Sequence, residues 1–346
     1  MRFYFTEEDR PTDVRANDLR AALVHARHRV VHGSEGVAAP PDTDVWFHGL
    51  GLKHGGALRE DTARALDAFA GTIVFFQVCD VTTMWFQRIP ERLAGRAHLF
   101  LRNHWPSDRT TIPERFRDRL GWMPPMVPFL TAHPGAPLRE RSRDAIFFGT
   151  KTGGANLADG RNAREETVRL LAASGLRFEG GLCPHEDPHY APAPDVIAPR
   201  MHEREHARRL LDTRLCVAPW GNHVLTYRLF EGLARRCVVV AQSIARTSFL
   251  DGGLEPGKHY VEVDGDLHDL VAVSRAVLAD LDRAQRIADA GHAHFRRHFE
   301  PRGSLISSWL FDAVVASWRG LYRPSDDADA LTRARSLAAR VFPRRW

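Results

Sequence analysis

The apolar and polar positions of the chain fall into a repeating rhythm: short apolar runs that predict strands, separated by stretches with apolar residues at helical spacing. In the first 135 residues the apolar runs lie at 2–6, 30–32, 44–48, 72–79 and 97–101. Between them, Leu19, Ala22, Leu23 and Ala26 share one helical face at i, i+3, i+4 and i+7, and further helices are predicted at about 61–69 and 84–93. Residues 121–143 are rich in proline and glycine and run into the charged stretch 139–144, which reads as a linker. The rhythm then restarts with a strand at 145–148, a glycine-rich turn at 149–154, a helix at 163–173, a strand near 176–178, a Pro/His loop and a helix at 203–211.

The stretch 214–243 is the most regular part of the chain. An apolar run at 215–219, the turn Trp220-Gly221-Asn222-His223, a helical pattern at 224–236 and a second apolar run at 237–241 spell strand, loop, helix, strand. Short continuous β-branched runs joined by a crossover helix make a right-handed βαβ unit of a parallel sheet. On the predicted helix, Leu225, Leu229 and Leu233 share one face, and Tyr227, Arg228, Glu231 and Arg235 share the other. A strand at PGKHYVEV and long helical patterns to about Tyr322 follow. The expected fold class is therefore α/β, with two Rossmann-like, doubly wound domains facing a cleft. The expected boundaries are 1–135 for the first domain, 136–144 for the linker, 145–300 for the second, and 301–346 for closing helices and a tail.

Such sheets bind ligands beyond the carboxyl ends of their strands. In the second domain that place is the loop holding Gly221, Asn222 and His223 and the first turns of the helix after it. A helix N-terminus suits a phosphate or diphosphate, Arg228 offers a bidentate clamp for the anion, and Glu231 offers acceptors for ribose hydroxyls. The alternative is an exposed helix face with a Glu231/Arg235 pair, contributing about 0.2–0.5 kcal/mol. The loop GTKTGG adds Gly149, Lys151 and Arg164 as phosphate partners, with Arg161 nearby, though it lacks the closing Gly-Lys-Ser/Thr of a P-loop. In the first domain His48, Asp80 and His104 stand at predicted strand ends. Asp80 is the first candidate for a general base, and equally an N-cap for the next helix.

Charge and composition remove several classes. A net charge of +5 without a basic cluster interleaved with aromatics excludes a nucleic-acid partner and fits an anionic ligand. The four cysteines, Cys79, Cys183, Cys216 and Cys237, form no CxxC pair and read as thiols in a reducing compartment, and no metal-ligand cluster stands out. No apolar stretch approaches the ~20 residues that span a bilayer, and the first ten residues lack the pattern of a signal peptide, so a cytoplasmic protein is expected. Residues 319–346 hold Leu331, Ala334, Leu337, Ala338 and Val341 at helical spacing with Arg333, Arg335 and Arg340 between them. This amphipathic basic helix either packs back on the first domain or touches an anionic membrane at its inner face.

The order Cys216-Val-Ala-Pro-Trp-Gly, Tyr227-Arg-Leu-Phe-Glu231-Gly-Leu, Cys237-Val-Val-Val, Pro256-Gly-Lys-His-Tyr260-Val-Glu-Val and Asp266-Leu-His-Asp-Leu270 resembles the C-terminal half of a GT-B glycosyltransferase. It is most similar to the exostosin-like and capsule-associated protein O-glucosyltransferase-like groups, and the resemblance extends over roughly 145–322. The resemblance implies a nucleotide-diphosphate sugar as donor, bound by the second domain without metal or other cofactor. It also implies a glycan, glycolipid, protein or small-molecule acceptor held by the first. Position by position, Arg228 would neutralise the leaving diphosphate and Glu231 would hold the ribose, with Tyr227 beside them. Many retaining members carry a second glutamate eight residues before the ribose-binding one. Position 223 here is His, which favours an inverting transfer. A sugar-nucleotide epimerase or a non-catalytic assembly protein on the same fold are the alternatives.

Overall fold

The computed structural model describes residues 2–7, 29–50, 58–77, 89–102, 114, 120–122, 132–151, 156–221, 224, 226–244 and 254–298. They form two compact units, one within 1–128 and one within 129–300.

The first unit holds β1 (Arg2–Glu7), β2 (Arg29–His32), β3 (Val45–Gly49), β4 (Thr72–Gln77), β5 (Leu99–Arg102) and β6 (Leu120–Trp122) in one parallel sheet of order β2-β1-β3-β4-β5-β6. Helices α1 (Glu60–Ala68) and α2 (Glu91–Arg96) follow β3 and β4. The strands are buried on both faces, as parallel strands require: Phe5 stacks on Phe47 at 4.7 Å between ring centroids, and Phe75 stacks on Phe100 at 5.7 Å. Among the described residues α2 starts later than the helix expected at 84–93. Pro90 is its N-cap, at φ −53° and ψ 143°, and a proline ring pushes the residue before it out of the helical region. The strand β6 falls where the sequence suggested a linker, and the helix expected around Leu19–Ala26 lies outside the described residues.

In the second unit β7 (Arg143–Thr150), β8 (Phe178–Cys183), β9 (Thr213–Val217), β10 (Val238–Gln242) and β11 (Val261–Val263) form a parallel sheet of order β11-β10-β9-β7-β8. Helices α3 (Ala163–Ala172), α4 (Glu203–Leu211), α5 (Tyr227–Ala234), α6 (Leu270–Ala279) and α7 (Leu281–His298) complete it. Counted from its own first strand, this sheet runs second, first, third, fourth, fifth, and so do the first five strands of the other unit. The core closes around Phe147, Leu171, Leu215, Val217, Val238, Val240 and Ala288. Strand β8 runs through a pair of glycines where a strand ending at 178 was expected. A Cβ on Gly180 would lie 2.3 Å from the Phe147 carbonyl oxygen, and one on Gly181 would lie 2.3 Å from Ala198 Cβ. The strand can lie against β7 and the 196–198 segment only because both side chains are absent.

Residues 136–144, expected as linker, are built into this unit. Leu138 is fully buried and β7 begins at Arg143. Arg141 is 1% exposed. Its guanidinium donates to the carbonyls of Ala136 (2.8 Å), Thr213 (2.7 Å) and Arg235 (3.3 Å), the last just past the C-terminus of α5. A cation suits the negative end of a helix, and here it also ties the start of β9 to the segment before β7. Among the described residues no helix is long and apolar enough to cross a membrane. The tail expected at 301–346 lies outside them.

Candidate functional site

In a sheet wound this way the connections leave to opposite faces at the junction of its first and third strands, which opens a crevice at their carboxyl ends. In the second unit that junction is β7 beside β9. The chain leaves β9 at Val217, passes Gly221 and enters α5 at Tyr227. Thr226 is the N-cap residue, yet its side chain makes no cap hydrogen bond, and its buried hydroxyl has no partner among the described residues. Buried Trp220 Nε1 likewise has none. The first N–H groups of a helix lack intrahelical acceptors, so this end of α5 is a donor-rich terminus whose own cap is not made.

In the first turn of α5, Arg228 is turned toward β7 and α4 rather than lying along an exposed face. Its Nε donates to the carbonyl of Phe148 on β7, and its Nη1 donates to Glu231 Oε2 and faces His206 Nδ1 on α4 at 3.5 Å. Glu231 Oε1 is 3.9 Å from the same His206 nitrogen. Burial works against the charge of Arg228, but Glu231 outweighs it and holds the guanidinium firmly protonated. His206 is 5% exposed, and burial together with the charge of Arg228 brings its pKa down to about 4 from 6.5. The cluster at neutral pH is therefore a cation, a carboxylate and a neutral imidazole. Leu229 and Leu233 are buried as the helical wheel requires, whereas the opposite face is half-buried, with only 25% of the Arg228 side chain and 16% of Glu231 exposed.

The end of β7 gathers the other expected phosphate partners. Arg164 Nη1 donates to the Thr150 carbonyl at 2.8 Å. Lys151 Nζ lies 3.3 Å from Glu165 and donates to the Ala191 carbonyl at 3.2 Å. Gly149 is closely covered, since a Cβ there would meet the Phe147 ring at 3.2 Å. Gly221 accepts from Asn156 Nδ2 at 3.5 Å, while Gln242 at the end of β10 accepts from the Trp220 amide at 2.8 Å. Two cationic side chains, Arg164 and Arg228, thus reach the last residues of β7, and Lys151, the residue after it, turns its amine to Glu165 and the Ala191 carbonyl. Asn222 and His223 lie outside the described residues.

In the first unit, Asp80 and His104 also lie outside the described residues. His48 is fully buried on β3. Trp46 Nε1 donates to Thr6 Oγ1 at 2.7 Å, and Thr6 Oγ1 lies 2.8 Å from His48 Nδ1. The indole is a donor only, so the threonine oxygen is its acceptor and the Thr6–His48 contact joins β1 to β3 inside the sheet. The described residues also bring Asp264, Asp266 and His268 within 4.8 Å of one another. This is a turn held by its own carboxylates: Asp264 takes the Asp266 amide at 2.6 Å and Asp266 takes the Ala158 amide at 2.8 Å.

Residues 184–304, which hold α4, β9, α5 and β10, match the family described as glycosyl transferase-like. Two solved structures are similar along nearly the whole chain. A glycosyltransferase from Rickettsia africae is 9% identical, with a TM-score of 0.52 and 99% of each chain covered. HepE from Anabaena, solved with UDP-glucose, is 12% identical, with a TM-score of 0.50 over 93% of this chain and 98% of its own. The chain has the GT-B fold. No curated protein matches it. In this GT-B chain the family match includes His206, Arg228 and Glu231 together. Sequence reasoning singled out the last two and missed His206, whose signal was its position four residues before Leu210 on the inward face of α4.

Proposed function

We propose that this protein is a glycosyltransferase that moves a sugar from a nucleotide-diphosphate sugar to a hydroxyl of a glycan or glycoconjugate. The observation that supports this reading is the Arg228–Glu231–His206 cluster, set at the crevice of a doubly wound sheet beside a helix N-terminus whose cap is not made. A diphosphate leaving group gains one unit of negative charge on its departing oxygen as the glycosidic bond breaks. Fixed cations and helix N–H groups stabilise that charge without reorganising. Arg228, Arg164 and Lys151 supply the cations, and Glu231 is the acceptor for the ribose hydroxyls. The acceptor hydroxyl attacks the anomeric carbon directly, its proton passing to a base for which Asp80 is the candidate, with inversion of configuration. No metal ion is needed in this scheme, because the cationic side chains take its place at the diphosphate.

The test is calorimetric titration and thermal shift of the purified protein with UDP, GDP, ADP, CMP and dTDP in the absence of divalent metal. A ligand at 100 times its dissociation constant stabilises the folded state by about 2.7 kcal/mol, so the donor nucleotide separates clearly from the others. Absence of binding by all five overturns the proposal.

A further inference from the structure

The donor-site reading uses Arg228 and Glu231 but gives no task to the imidazole wedged against them. We infer that His206 is a positioning residue of the donor site: its ring nitrogen holds the Arg228 guanidinium in the orientation that a bound diphosphate requires. The inference rests on the proposed donor site.

Three observations converge on it. First, Arg228 is held from three elements at once, by the Phe148 carbonyl of β7, by Glu231 of its own helix and by His206 of α4. Removing the contact from α4 leaves the guanidinium fixed only at Nε and by a carboxylate three residues along the same helix, and a planar fork with one anchor fewer can turn. Second, the contact with Arg228 is the one hydrogen bond of the ring among the described residues. It stands edge-on to Phe148, with centroids 6.2 Å apart and planes at 86°, and its Nε2 is buried with no partner among the described residues. A buried nitrogen without a partner is unfavourable, so an apolar side chain would serve packing better. Third, the ring is neutral at physiological pH. A neutral imidazole presents Nδ1 as an acceptor to Arg228, where a second cation would repel it. Nothing here routes a proton or a bond change through His206. Its part is to keep a cation aimed.

Three substitutions separate this role from packing. His206→Leu keeps volume and removes the acceptor. His206→Asn places an amide oxygen near the position of Nδ1. His206→Gln carries its oxygen further out, near that of Nε2. Each is titrated with the nucleoside diphosphate that binds wild type best, and its unfolding midpoint is recorded alongside. The expected result is a loss of affinity of about tenfold for His206→Leu and His206→Gln, the scale of one hydrogen bond to a charged group, with His206→Asn within about threefold of wild type. If Leu binds as wild type does, or if Asn and Gln are equally weakened, the assignment is overturned. Should His206→Leu fail to fold, the comparison of Asn with Gln decides alone. If wild type binds none of the nucleotides, the donor-site reading falls and this assignment with it. If wild type binds and the variants do not differ from it, only the assignment falls.

Discussion

Acidification offers a direct measure of how His206 is held. In the folded protein its pKa is about 4, against 6.5 for the free side chain. The groups facing it are Arg228, Glu231 and Arg235 of α5 and the ring of Phe148. Between these two pH values the unfolded chain binds a proton that the folded chain does not, so stability falls as the pH drops through 6.5. The loss is complete near pH 4. The difference between the two values corresponds to about 3 kcal/mol at full development, of which roughly 2 kcal/mol is reached by pH 5. Because the ring is 5% exposed, solvent screening takes little from this figure. Many carboxylates titrate over the same range, so the informative quantity is the difference between wild type and His206→Asn, which has no ionisable group at the site. Urea unfolding of both proteins at pH 7, 6 and 5 gives that difference. The variant should gain on wild type by roughly 2 kcal/mol between pH 7 and pH 5. A gap that stays constant within about 0.5 kcal/mol, smaller than the linkage of a single buried histidine, refutes the buried, neutral imidazole.

Other perturbations probe the remaining parts of the argument. Arg228→Ala should weaken nucleoside diphosphate binding by about 1.5–3 kcal/mol, the range for hydrogen bonds to a charged group, and wild-type affinity in calorimetry would remove Arg228 from the diphosphate site. Asp80→Asn should leave nucleotide binding intact and abolish sugar transfer, and full turnover in a product assay would place the base elsewhere. Arg141→Met removes the guanidinium from the carbonyls of Ala136 and Thr213, while the Arg235 carbonyl keeps the Gly135 amide at 3.2 Å, which should cost about 2 kcal/mol or more. A change in the chemical denaturation free energy below about 1 kcal/mol would show that these carbonyls do not depend on the guanidinium.

Much of the fold was legible in the sequence because buried parallel strands are written as continuous apolar runs. Strands β1, β3, β4, β7, β9 and β10 fall on such runs, and α3 and α4 on helical periodicity. The runs that misled are those in which a local signal yields to a neighbour. Glu179-Gly180-Gly181 looks like a turn, yet it is strand because the Phe147 carbonyl and Ala198 leave no room for a Cβ. The proline-rich stretch before residue 145 looks like a linker, yet Leu138 packs into the apolar core and Arg141 is held by carbonyls about 70 to 95 positions away. At the site, the spacing of Arg228 and Glu231 marked them as neighbours on α5. It did not show that they would pair with each other, nor that a histidine from α4 would join them, since contacts between helices leave no mark at one-turn spacing. The polar face drawn on the helical wheel as open is in fact half-buried, with Arg228 and Glu231 set against His206 of α4.

The buried guanidinium of Arg141 has a practical consequence for cutting the molecule in two. A fragment meant to isolate the second unit and begun at residue 145 would lack Arg141 and Leu138, as well as the amide of His133 that caps the Ala234 carbonyl at 3.0 Å. It would leave the C-terminal end of α5 without its cation and open the floor beneath β9. The shortest segment expected to stand by itself starts near residue 132.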